Sequence, residues 1–135
     1  MTLSPESASP LLTDTDVHER VEALVGPAVR DRCVWLVLVD GDRRQVPLLI
    51  PMEDAPRRPG READGLRDML AHLTDHLTTD AGPGSCVFVL ERLGTPAIEP
   101  ADEEWAEALT AAAVGAGFGS LGVFLSTPVD VRRVR

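Results

Sequence analysis

Two short runs constrain this chain most: Cys33-Val-Trp-Leu-Val-Leu-Val39 and Cys86-Val-Phe-Val-Leu90, each apolar at every position. A strand with one face in water alternates apolar and polar residues. The unbroken run at 33–39 therefore implies a central strand covered on both faces. Asp40-Gly41-Asp42 supplies turn chemistry after the first run, and Gln45-Val-Pro-Leu-Leu-Ile50 reads as the return strand of a hairpin. Pro47 has no N–H to give a ladder, which puts that strand at a sheet edge or at a bulge. Residues 121–125 predict another strand, and 129–134 a short edge strand after it.

Three segments have helical spacing. Val17, Val21, Leu24, Val25 and Ala28 recur at helical intervals behind Thr13, Asp14 and Thr15, any of which can cap, and Gly26-Pro27 should end or kink the helix. Residues 62–78 carry a narrow stripe of Leu66, Met69, Leu70, Leu73 and Leu77, with Asp64, Asp68 and Asp75 off it. After a loop at 91–100, Trp105, Ala108, Leu109, Ala112 and Ala116 form an inward stripe, mostly of small residues that let a helix lie close to a sheet. Asp102 or a neighbour caps that helix, Glu103 and Glu104 suit its N-terminal dipole, and Gly117 suits its C′ position. The order is α-β-β-α-β-α-β with a further short strand. It predicts a single α/β domain at 13–135, a mixed sheet of four to five strands in two or three layers, parallel crossovers through the helices, and a tail at 1–12.

A chain of 135 residues has room for one such core. Three Phe, two Trp and no Tyr leave that core to Leu, Val and Ala. No run of ~18 apolar residues exists to span a membrane, and the start, Met1-Thr-Leu-Ser-Pro-Glu, has neither the basic end nor the apolar run of a signal peptide. A cytoplasmic address follows as the expectation. The formal charge of −9, with thirteen basic residues that are all arginine, argues against a nucleic-acid partner, because phosphate binding needs a cationic surface. Cys33 and Cys86 each open an apolar run, which suits buried, reduced thiols. If their strands are neighbours the two could lie close.

The sharpest chemical candidate is His72-Leu-Thr-Asp75-His76. Two histidines one helical turn apart can share a metal, and a carboxylate just before the second resembles the H-x-x-E-H order of one metalloprotease class. Asp is shorter than Glu there, and no third ligand is evident. Gly82-Pro-Gly84 precedes a strand and Gly115-Ala-Gly117-Phe-Gly119 closes a helix, so neither has the strand-to-helix polarity of a phosphate loop. No G-x-S-x-G exists. His18 belongs on the solvent side of the first helix. Two charge clusters remain: acidic Glu99, Asp102, Glu103, Glu104 and Glu107, and basic Arg57, Arg58 and Arg61 together with Arg132, Arg133 and Arg135. Such runs are ordinarily solvated faces. The functional reading makes Arg57, Arg58, Arg132, Arg133, Glu103 and Glu104 an interface with a partner or a second copy.

The third strand, its loop and the third helix resemble the metal-binding core of RadC-type JAB/MPN domains, whose motif is H-x-H-P-S-G-x-P-x-P-S-x-x-D. Laid without gaps from Glu91 to Glu104, the motif keeps its length and puts one of its prolines on Pro100. Its two histidines fall on Glu91 and Leu93, its serine on Ala101 and its aspartate on Glu104. The resemblance runs from about Cys33 to the C-terminus and implies that scaffold without its metal or hydrolase activity. The ending 123–134 also resembles STAS-type domains, in which Thr95 would stand in for the phosphorylatable serine. The chain further resembles short actinobacterial proteins, a likeness that implies no activity. The leading expectation is a non-catalytic cytoplasmic binding or regulatory domain acting through protein contacts, with a homodimer as one form, and with no cofactor, nucleic acid or membrane. The alternatives are a metal-dependent hydrolase built on His72 and His76 with Asp68 or Asp75, and a small-ligand sensor or STAS-like regulator.

Overall fold

The computed structural model describes residues 9–135. It contains α1 (Asp14–Leu24), β1 (Cys33–Val39), β2 (Gln45–Met52), α2 (Glu62–Leu77), β3 (Ser85–Glu91), α3 (Pro100–Gly115), β4 (Gly119–Ser126) and β5 (Val131–Arg133). The strands form one sheet in the order β2-β1-β3-β4-β5. The single mixed α/β domain anticipated from the apolar runs is therefore present, with five strands and three helices packed on the sheet.

The two fully apolar runs are neighbours at the middle of the sheet, β1 antiparallel to β3, with Cys33 opposite Glu91 and Val39 opposite Ser85. Side-chain alternation then divides them between two cores. Val34, Leu36, Leu38, Cys86, Phe88 and Leu90 face α2 and α3, while Val37, Val39, Val87 and Val89 face α1 and Leu11. This explains the missing polar alternation: both faces are roofed, by two helices on one side and one on the other. Burial on both sides did not require a parallel sheet, however. Of the four strand pairings only β3–β4 is parallel. The β2-α2-β3 connection joins strands that point the same way but have β1 between them. Pro47 lies on edge strand β2, where the register slips between Val37 and Val39, so it occupies both an edge and a bulge.

Local signals set the helix ends. The Thr13 hydroxyl accepts from the Asp16 N–H while the Asp16 carboxylate accepts from the Thr13 N–H, a reciprocal capping box that starts α1. Those backbone donors hold the Asp16 carboxyl below its ordinary value. Thr13→Ala should lower stability by about 1 kcal/mol, read as a shift of the urea midpoint. In α3 the cap is Glu99, with Pro100 at the first turn, and Asp102 is the reciprocating residue rather than the cap. Ala116 caps the C-terminus and Gly117 follows at φ +92°, a backbone angle that favours glycine. The inward face of α3 includes Ala106 and Ala113 in place of Ala108.

Two boundaries differ from expectation. The anticipated tail at 1–12 extends over Leu11, yet Leu11 is buried in the α1-side core and exchanges hydrogen bonds with Arg43 through both its N–H and its C=O. Residues 1–8 lie outside the described residues. Ala28 does not extend α1, because Gly26 takes φ +67° and ends the helix. Its N–H instead donates to the Thr127 carbonyl. No described helix is long and apolar enough to cross a membrane.

Candidate functional site

In an α/β sheet the loops after parallel strands are the usual place for a ligand. Here the end of β3 is filled by the protein's own polar groups. Glu91 is buried, and its carboxylate accepts from the Val29 and Arg30 N–H groups at 2.8 and 3.0 Å and from the Trp35 indole at 2.8 Å. Next to it Arg92 is 3% exposed and makes a two-pronged pair with Asp102, Nε to Oδ1 at 3.0 Å and Nη2 to Oδ2 at 2.9 Å. Its remaining donors go to the carbonyls of Leu93, Thr95 and Ala97. All five guanidinium N–H bonds thus have acceptors, and hydrogen bonding to Asp102 raises the Arg92 pKa further. The buried pair fixes the 92–99 loop to the start of α3. Its polar atoms are spent on one another.

The larger concavity lies elsewhere, between the β2 edge and α2. It is an apolar groove of about 370 Å³, walled by Val34, Leu36, Ile50, Met52, Leu66 and Met69, with Phe88 also lining it. Glu62 is the one charged side chain on its wall. The groove is open to solvent along α2, where Met69 on its wall is 37% exposed. Gly65 belongs to the α2 wall, and a Cβ added there would meet nothing within 4 Å. Gly65→Ala should therefore stabilise the folded chain by about 0.5–1 kcal/mol, measured by urea unfolding.

The metal candidates all lie on α2 and are exposed. His72 binds back through Nδ1 to the Asp68 carbonyl of its own helix at 2.7 Å, and Asp75 and His76 are open to solvent. Among the described residues no group of three His, Cys, Asp or Glu is arranged to hold a metal. Of the interface candidates, Arg58 pairs with Glu104 and Arg57 with Glu99 at 3.9 Å inside the same chain. Arg132 forks onto Asp130, which lowers the Asp130 pKa and raises its own. Arg133 lies over the Phe124 ring at 4.7 Å with Asp14 3.6 Å away, and Glu103 is exposed. His18 is not simply solvent-facing: its Nε2 lies 3.0 Å from the Val131 carbonyl and its ring stands edge-on to Phe124.

Three features escaped sequence reasoning. Glu91 reads as the first residue of the 91–100 loop and Asp102 as one acid of a solvated cluster, but Glu91 ends β3 and both are buried and saturated with donors. The groove has no local signature, because β2 and α2 come together only through the sheet order. The residues that the JAB/MPN motif aligns with its ligands also separate: Glu91 is spent on backbone donors, whereas Leu93 and Glu104 are exposed. Thr95 is exposed, with its carbonyl bound to Arg92.

Cys33 and Cys86 are buried and free. Their strands are neighbours, but the antiparallel register sets Cys33 opposite Glu91 and Cys86 opposite Leu38. Five residues of strand separate the two thiols, about 16 Å, so they do not lie close. Burial raises both pKa values, Cys86 to about 12. Neither thiol should react with an aromatic disulfide reagent in the folded state, and both should react after denaturation, read as released chromophore. No protein-family model matches the chain, and neither the curated proteins nor the solved structures contain a match to it.

Proposed function

We propose that this chain is a non-catalytic binding or regulatory domain that contacts a protein partner through the apolar groove between β2 and α2. The observation that carries the reading is the composition of that wall: a concavity with one carboxylate and otherwise apolar side chains binds by burying apolar surface. The buried charged groups, Arg92, Asp102 and Glu91, support it too, because their hydrogen bonds hold the fold together rather than facing a substrate. A cytoplasmic address goes with this reading, since the two thiols are too far apart to join.

A photocrosslinking amino acid placed at Met52 or Met69 tests it in cells. Protein adducts from these positions, and none from Glu19 on the exposed side of α1, are the expected result. Equal yields from all three, or none, would overturn the proposal. A second reading, a small apolar ligand, is favoured by the groove's volume, which falls within the ~300–1,000 Å³ usual for small-molecule sites. Native mass spectrometry of purified chain separates the two: the ligand reading requires a bound mass that disappears on denaturation.

A further inference from the structure

We infer that Met52 and Met69 make the groove a redox-sensitive site: a peroxide converts their thioethers to sulfoxides, and the groove then loses its hold on an apolar occupant. The inference rests on the reading above, that the groove binds by burying apolar surface, and adds to it a means of switching. Apart from Met1 the sequence holds two methionines, and both line this one groove. They come from different walls, Met52 from the end of β2 and Met69 from the middle of α2. Met69 is 37% exposed and Met52 half-buried, so an oxidant small enough to enter the groove reaches both side chains.

The other two sulfur groups are withheld from the same chemistry. Cys33 and Cys86 are buried, and burial raises both pKa values, which leaves little of the thiolate that reacts with peroxides. A thioether has no proton to lose first. Its sulfur lone pair takes one oxygen from hydrogen peroxide, the O–O bond breaks, and the second oxygen leaves as water with both protons. Sulfur gives up two electrons and the peroxide accepts them. The product carries a polar S=O group where a flexible apolar chain stood. Two such oxygens would stand on walls whose side chains include no hydrogen-bond donor, since the one charged group there is the Glu62 carboxylate. An apolar surface closing over them would strip their water and return nothing for it. Neither methionine belongs to the fully buried core, so the fold itself outlasts the change.

Fluorescence titration of the purified full chain with Nile red, a neutral apolar dye, before and after hydrogen peroxide tests the inference. Peptide mapping should find one added oxygen on Met69 and then on Met52, and none on either cysteine. Dye affinity should fall at least about tenfold, with an unchanged circular dichroism spectrum. It should return when the two methionine sulfoxide reductases, one for each sulfoxide epimer, act on the oxidised chain. In the Met52→Leu/Met69→Leu double variant peroxide should leave the affinity where it was, whatever its starting value. Methionines at 52 and 69 that stay unoxidised at a dose converting free methionine overturn the inference. So does dye binding indifferent to their oxidation, a loss that the double variant shares, or unfolding of the oxidised chain. In those cases the groove reading survives if the untreated chain takes up dye. An untreated chain that takes up none removes that reading, and the switch with it.

Discussion

Asp102→Ala will cost the fold about 3–5 kcal/mol, the range expected when one partner of a buried ion pair is removed and the other is left uncompensated. Arg92 would keep its bonds to the carbonyls of Leu93, Thr95 and Ala97, but its charge would remain shielded from water without its hydrogen-bonded counter-ion, leaving only the charges of Glu99 and Asp31 to act on it. The loss reaches further than the pair. The Asp102 carboxylate also accepts from the Glu99 N–H at 2.8 Å, so the first turn of α3 loses its reciprocal cap in the same substitution. A domain of this size has roughly 5–15 kcal/mol of stability in total, so the variant should unfold at markedly lower urea with a similar slope. Asp102→Asn keeps the shape and part of the hydrogen bonding, and it should cost less than the alanine. A midpoint within experimental error of wild type for Asp102→Ala would mean that the pair is hydrated in solution.

Phe88→Ala should cost a comparable ~3–5 kcal/mol, for a different reason. Phe88 is fully buried on the central strand β3, in the core that β1, β3 and β4 share with α2 and α3. Its removal loses apolar burial and leaves space that flanking strands and helices cannot close without breaking register. Because Phe88 also lines the groove, the cavity would join it and open to solvent. Phe88→Leu retains most of the apolar volume and should lose roughly 1.5 kcal/mol or less. Urea unfolding of the two variants side by side gives the comparison. If alanine and leucine are equally mild, the strand is not packed as described.

The helix termini illustrate how much of the fold was legible locally. Thr13 with Asp16 forms a capping box from neighbours three residues apart, and Gly117 takes its positive φ because no side chain opposes it. Asp102 shows the limit. Its position near a helix start was readable, but its burial follows from Arg92, ten residues earlier at the end of β3, which folds back on it. Nothing in the Asp102-Glu-Glu104 run separates the buried acid from its exposed neighbours. The His72–His76 pair met the same limit: helical spacing put the two on one flank, yet a metal centre needs ligands from elsewhere, and the sheet order brings none among the described residues.

Sequence alone therefore determined the elements, their order and the double burial of β1, because hydrophobic periodicity, capping and turn chemistry act between residues a few positions apart. Tertiary structure decided the rest. Inserting β1 between β2 and β3 put Cys33 and Cys86 at opposite ends of their strands and left β2 as an edge beside α2. The groove follows from that strand order, and the Arg92–Asp102 pair from the β3–α3 loop folding back on itself. Strand order is a choice among long-range pairings whose loop-closure costs differ little with length, so no short stretch of residues encodes it.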